Sequence, residues 1–477
     1  MLFSNLLFIY IFLPLLFILY YPFKNQIWRN AVLTVFSMFF YAWGEPVLVL
    51  LMLAIIAVNY VFGLIISRCI TADKKASAKV ALALSVVANL AALVYFKYAG
   101  FFVSSINLIP GLSFDVPEIL LPLGISFFTF QAMSYTVDVY RSDAPVQKNF
   151  FYLLLYVSLF PQLIAGPIVR YRDVCAEIED RTVSVHKMNE GIFRFSVGLA
   201  KKVLLANPCG QVSDSLLATP IADATVSGSW LGALFFAMQI YYDFSGYSDM
   251  AIGMGKMLGF EFKENFNYPS ISRSATEFWR RWHISLGTFF RDYLYIPLGG
   301  SRCSKFKWFR NVLVVWVLTG MWHGASWNFI IWGLFYALLL LLEKLVFMPI
   351  GEKINKGIST VVSYVYMIFV TLVGWTIFYY TEDLLPRLKV MFGIGSPIGD
   401  IYEMSILRSN LFLLAVAVIF CTPIIPKLLC KITSKMGENG SYAIGRIFKT
   451  VFAVVAIALS TAMLAGNSYN PFLYFRF

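Results

Sequence analysis

Histidine is scarce in this chain: three in 477 residues, at positions 186, 283 and 323. Two of them lie in one stretch, 261–328, which begins polar, basic and aromatic and ends apolar. His323 is set in Thr319-Gly320-Met321-Trp322-His323-Gly324-Ala325-Ser326-Trp327, inside a hydrophobic run long enough to cross a bilayer. A histidine packed by one hydrogen bond to a neighbouring helix is the plainer account. The cost of holding an ionisable group in hydrocarbon favours function instead. Its chemistry would be that of a general base, since an unperturbed imidazole titrates near neutrality. His283 follows Trp279, Arg280, Arg281 and Trp282. Arginine forks suit phosphates and tryptophans suit an adenine or a pantetheine arm, so this cluster reads as the entrance for an anionic donor. Arginines that only mark the inner membrane face are an equally good account of it. In the apolar run M-Q-I-Y-Y-D-F-S-G-Y-S-D (238–249), Asp243 and Asp249 have three readings. They could be coupling sites of an ion or proton path, a polar tunnel wall, or carboxylates bonded to tyrosine and backbone. Their spacing does not match a calcium loop, and no metal site is expected.

Local signals suggest how these residues are held. Ser274-Ala275-Thr276-Glu277 reads as a capping box, which satisfies orphan amides at a helix start. Glu277 and Arg281 are then spaced for an ion pair, and Trp279 and His283 share that spacing. Gly320 and Gly324 allow close backbone approach. The segment 261–310 holds nine Lys or Arg against four acids and reads as short re-entrant or interfacial helices on the inner side. Around it, apolar runs at 2–21, 31–43, 47–66, 80–104, 119–140, 188–206, 230–260, 311–343, 358–380, 409–426 and 450–466 give about eleven crossings at ~20 residues each. The run 150–168 is broken by Pro161 and Gly166-Pro167 and reads as re-entrant. Keeping the basic loops inside leaves both termini extracytoplasmic.

Composition sets the class. The chain is 59% hydrophobic, 17% aromatic and 13% charged, which marks an all-α polytopic membrane protein embedded as a single domain, 1–477. The net charge of +12 is explained by inner-face topology, and nucleic acid is not an expected partner. Six cysteines without C-x-x-C spacing give neither a disulfide framework nor a zinc site. The first segment lacks a basic n-region and a small-residue cleavage site, so it reads as a retained helix. No internal repeat of the kind found in inverted-repeat transporters was found.

W-R-R-W-H-I-S-L, R-D-Y-L-Y-I-P-L-G-G and M-W-H-G-A-S-W-N-F resemble the signature of membrane-bound O-acyltransferases. More narrowly they are similar to the bacterial alginate O-acetylase branch, as are P-L-G-I-S-F-F-T-F-Q, F-P-Q-L-I-A-G-P-I-V-R and Y-Y-D-F-S-G-Y-S-D-M-A-I-G. The teichoic-acid D-alanyltransferase is related by the same resemblance. It implies a ring of tilted helices around a thin core pierced by a tunnel, with His323 as the buried catalytic histidine and His283 as the second polar position. Trp279, Arg280, Arg281, Trp282, Asp243, Ser245, Trp322 and Asn328 would line the donor site and tunnel. The implied reaction moves an acyl group, here acetyl, from a cytoplasmic thioester toward an extracytoplasmic polymer. The donor would be acetyl-CoA or an acyl carrier protein, with no bound cofactor. An extracytoplasmic SGNH-type transferase or esterase and a polysaccharide acceptor would be the partners, in the bacterial inner membrane. The tail 467–477 adds Phe472-x-Tyr474-x-x-Phe477, which resembles the relay motif of the small partner in D-alanylation and makes Tyr474 an acyl carrier. An aromatic interface belt is the plainer account of the tail. The rival from another class is a transporter or flippase of lipid-linked sugars, coupled through Asp243 and Asp249.

Overall fold

The computed structural model describes residues 1–164, 166–351, 356–433 and 438–473. The protein is about 75% helix, with no strand among the described residues. It divides into two compact units, Met1–Phe195 with Ser248–Lys263, and Ser196–Tyr247 with Glu264–Phe477.

In the first unit, helices Gln26–Ala42 and Val49–Thr71 flank Gly44-Glu45-Pro46, the turn that the sequence predicts. Asn25 starts the former by accepting hydrogen bonds from the Ile27 and Trp28 amides. Polar residues on these apolar helices find one another. Asn59 donates to Asn89 Oδ1 at 2.9 Å, and Ser85 bonds both Asn59 and Thr136, all four buried or nearly so. Such bonds join helices where no water competes. The run 150–168 breaks as its prolines and glycine predict, into Phe150–Ser158 and Phe160–Leu163 with Leu159 non-helical between them.

The second unit is built on a tight hairpin of Lys305–His323 and Trp327–Leu342. Gly320 and Gly333 face each other across it, where a Cβ on Gly320 would stand 2.2 Å from the Phe329 carbonyl oxygen. The break between the two helices follows from Gly324, which is extended at φ −163°, ψ 160°. Glu343, buried at the far end, reaches across to cap the short helix Ala275–Arg281, accepting from the Ala275 and Thr276 amides and the Thr276 hydroxyl.

Five helices among the described residues are long and apolar enough to cross a membrane: Val49–Thr71, Lys75–Ile106, Trp327–Ile350, Gly357–Tyr379 and Ile444–Gly466. A sixth arises if the pair Ile401–Ser409 and Leu411–Phe420, bent by 58°, is one span. Crossings expected at 119–140 and 230–260 fall on helices Ile125–Arg141 and Val226–Leu258, which bury Gln131, Asp138, Gln239, Asp243 and Asp249. On Lys356–Tyr379, Ile358, Val361, Val365 and Ile368 form an exposed stripe at helical spacing, each about 60% accessible, as a face turned to acyl chains requires.

Candidate active site

His323 is the last residue of its helix and is half-buried. Its ring lies edge-on to Trp322 (centroids 5.0 Å apart), Trp332 (5.2 Å) and Phe378 (5.1 Å). Three helices thus supply an aromatic collar that fixes the imidazole and thins the water around it.

His283 is held differently. Ser274 caps Ala275–Arg281 by accepting from the Glu277 amide at 3.0 Å, as predicted. The Glu277 carboxylate turns instead to the Arg273 amide and to Arg281, its predicted partner, at 2.9 Å. The helix ends at Arg281, so the expected helical register of Trp279 with His283 does not form. His283 adopts a left-handed backbone (φ 45°, ψ 54°) before helix Ile284–Phe290, a conformation costing roughly 1–3 kcal/mol in a non-glycine residue. Fully buried Asn265 over-determines it. Its carbonyl oxygen accepts from the Ser285 amide and hydroxyl and lies 3.2 Å from His283 Nδ1, while its backbone carbonyl accepts from the Ile284 amide. Nδ1 therefore carries the proton and Nε2 presents a lone pair, buried and without a hydrogen-bond partner among the described residues. Burial pushes the imidazole well below its ordinary range, with neighbouring His323 adding to the effect. A neutral, oriented imidazole can accept a hydrogen bond from a donor molecule without carrying charge. Asn265 went unnoticed in the sequence, where it is one polar residue in an aromatic segment.

A cavity of about 850 Å³ joins the two histidines, with Trp279, Arg280 and Trp282 in its wall. That is room for a drug-sized or larger ligand. Arg291 and Lys344 also line it, so three cations face this space, two of them unforeseen. Lys344 rests over the Trp308 ring at 4.3 Å. A second, small cavity of about 30 Å³ is lined by Asp243, Phe378, Phe472 and Leu473. His323 and Trp282 border both spaces. The histidine stands where a large chamber carrying three cations meets a small, nearly filled one.

Arg281, Ser245, Asn328 and Trp322, also expected at the site, line neither cavity. Arg281 is engaged with Glu277 and the Asn267 carbonyl. Ser245 is buried away from both cavities. Asn328 staples its helix to the next by donating to the Ile377 and Phe378 carbonyls, 3.3 and 3.0 Å away. Trp322 lies against both histidines, its ring 5.7 Å from His283, and lines neither space. Asp243 is ion-paired with Lys202 at 2.6 Å, and Asp249, in the first unit, with Arg194 at 2.6 Å. Carboxylates pinned by cations are poor coupling sites, so the transporter reading loses its main support. Tyr474 lies outside the described residues.

Fold and cavity together define a helical membrane protein with two histidines on the wall of one large cavity. Residues 86–380 match the membrane-bound O-acyltransferase family, and the chain belongs to that family and is an O-acyltransferase. It is similar along its whole length to a probable alginate O-acetylase of Azotobacter vinelandii, 39% identical and covering all of both chains. It is also similar to a peptidoglycan O-acetyltransferase of Helicobacter pylori, 31% identical over 100% of this chain and 98% of that one. A teichoic acid D-alanyltransferase of Bacillus subtilis is 29% identical over 46% of this chain and 58% of its own length.

Proposed function

We propose that the protein takes an acetyl group from acetyl-CoA on the cytoplasmic side and passes it across the membrane for O-acetylation of an extracytoplasmic polysaccharide. The observation that carries this is the place of His323 on both cavities. The large chamber takes the donor: Arg280, Arg291 and Lys344 meet its phosphates, the tryptophans its base and arm, and His283 Nε2 accepts an amide N–H. His323 takes the proton of the attacking hydroxyl as its oxygen bonds to the thioester carbonyl carbon. The C–S bond then breaks, and the thiolate leaves as a thiol with the proton returned by His323. The attacking hydroxyl is that of Tyr474, which hands the acetyl group on to an outer SGNH-type partner and so to the polymer. Ordinary phenols and imidazoles ionise near pH 10 and 6.5, so full proton transfer before attack would cost about 5 kcal/mol. Deprotonation therefore accompanies attack in one aligned step. The protein resides in the bacterial inner membrane with about eleven crossings and both termini outside. The dimensions of the donor chamber favour this donor, and the full-length likeness to O-acetylating relatives favours acetyl over D-alanyl.

The test uses proteoliposomes with radiolabelled acetyl-CoA on the face bearing the basic loops. Wild-type protein should acquire label on Tyr474. His323→Ala should fold, bind donor and acquire none, and Tyr474→Phe should bind donor and deliver nothing outward. Wild-type transfer by folded His323→Ala would remove the base assignment. Wild-type polymer acetylation by Tyr474→Phe would remove the relay and leave direct attack by the external acceptor.

A further inference from the structure

The second unit contains a buried ion pair that the transfer chemistry does not use. Lys202 Nζ and Asp243 Oδ1 lie 2.6 Å apart, each side chain about 3% exposed. An isolated buried pair of this kind is weak evidence of stability, because desolvation offsets much of the attraction. Its partners explain its presence better. Lys202 Nζ donates to the Pro471 carbonyl, and Asp243 Oδ2 accepts from the Leu473 amide at 2.9 Å. Both bonds go to main-chain atoms, on either side of Phe472. They grip the course of the chain whatever side chains it carries.

Neighbouring contacts extend the grip upstream. Tyr469 donates to Asp214 Oδ2 at 2.6 Å, and Asn207 donates to Asn470 Oδ1 at 3.2 Å. The Phe472 ring stacks on Tyr247 with centroids 4.7 Å apart. Five successive residues, Tyr469 to Leu473, are therefore bound by side chains from the helices at 201–217 and 226–258. The end of this bound segment is what connects it to chemistry, since Phe472 and Leu473 line the small cavity with His323.

We propose that Lys202 and Asp243 are positioning residues that clamp the segment 471–473 by its backbone and hold it beside His323. This rests on the reading of His323 as the base and of the tail as the acyl carrier. The ammonium matches a carbonyl and the carboxylate matches an amide, so the clamp has a polarity. A charge pair serving only to hold helices together has none.

That polarity supplies the test. Lys202→Asp combined with Asp243→Lys restores the ion pair while setting a carboxylate against the Pro471 carbonyl and an ammonium against the Leu473 amide. Purified variants are compared in the acetyl-transfer assay for kcat and for the KM of acetyl-CoA. The swapped pair should keep the donor KM and lose transfer by roughly 100-fold, the penalty of about 1 Å of misplacement. Leu473→Pro, which removes the amide proton that Asp243 accepts together with the leucine side chain, should show the same split, while Leu473→Ala, which loses the side chain and keeps the amide, should lose less transfer. Wild-type transfer by the swapped pair overturns the clamp. If the swapped protein does not fold, wild-type transfer by Leu473→Pro overturns it instead. His323→Ala is run alongside. If it stays active the base assignment fails, whereas a dead His323→Ala beside an active swap sinks the clamp alone.

Discussion

Gly320→Ala is a one-carbon change outside the cavity walls, yet it should disable the enzyme. In an ordinary helix the substitution is favourable by about 1 kcal/mol. Here the added Cβ would stand 2.2 Å from the Phe329 carbonyl oxygen and 3.0 Å from its carbon, where ordinary contact begins at 3.4 Å. The hairpin must open by the difference, 3.4 − 2.2 = 1.2 Å. A helix carbonyl cannot swing away like the tip of a side chain, and a Cβ on Gly333 would stand as close to the Trp316 carbonyl oxygen, at 2.3 Å. Overpacking of this kind costs about 1–3 kcal/mol, so net destabilisation is roughly 0–2 kcal/mol once helix propensity is counted. The protein should fold and lose a few degrees of Tm at most. His323 lies one helical turn further on and moves with the helix. A shift near 1 Å at a catalytic group is worth roughly 100-fold in rate. The assay measures acetyl transfer beside donor binding and Tm in detergent, with Gly445→Ala as control, since no atom lies within 4 Å of its new Cβ. Wild-type transfer by a Gly320→Ala protein of unchanged Tm would refute the claim that this glycine contact places His323.

Two further outcomes follow from the large chamber. Replacing Arg280, Arg291 or Lys344 singly by Gln should raise the KM for acetyl-CoA about fivefold, ~1 kcal/mol for a partly exposed charge, and should not affect acetyl-pantetheine, which lacks the phosphates; equal effects on both donors would contradict the phosphate role. His283 is held neutral in the fold, so below pH ~6.5 the unfolded chain binds a proton that the folded one does not, and stability falls by up to ~1.4 kcal/mol per pH unit as pH drops. His283→Gln should flatten the Tm difference between pH 7.5 and 5.5, and an unchanged slope would show that His283 is not the group responsible.

The residues proposed to carry the chemistry were legible because they break local rules. A histidine in an apolar run and tryptophans alternating with arginines stand out against their surroundings, and both clusters meet in one chamber. Local signals also held where short-range physics decides: the Ser274 cap, the Glu277–Arg281 pair, the Gly44–Pro46 turn and the break near Pro161 all form. What failed depended on distant chain. The register of Trp279 with His283 assumed a continuous helix, but Asn265 binds the chain into a left-handed turn at His283. The family resemblance puts Asn328 in the tunnel wall, yet its amide is occupied by carbonyls some fifty residues away in sequence. Asp243 looked like a tunnel group and does border the small cavity, but its partner Lys202 belongs to another helix and its second bond to the tail. Nothing in local spacing announces such pairings. The apolar runs count about eleven crossings, whereas five or six helices among the described residues are long and apolar enough to span, and buried polar residues lower the hydropathy of helices such as Val226–Leu258.

The size of the small cavity bears on how acyl transfer avoids hydrolysis. A water needs about 10–15 Å³ of accessible volume, so a space of about 30 Å³ holds two or three at most. Phe472, 5% exposed and stacked on Tyr247, fills most of what would otherwise be open beside His323. Phe472→Ala removes that ring and leaves the clamp contacts of Pro471 and Leu473 in place. A void lined only by hydrocarbon would stay dry, but this one borders His323 and Asp243, which give water hydrogen-bond partners. Water beside the base can then attack the thioester in place of a hydroxyl. Acetyl-CoA hydrolysis without acceptor should therefore rise in Phe472→Ala while delivered acetyl falls, and Phe472→Leu should restore part of the seal. The ratio of free acetate to transferred acetyl reads this directly. A ratio unchanged from wild type in Phe472→Ala would mean that water is excluded elsewhere, and that the tail positions the nucleophile without guarding it.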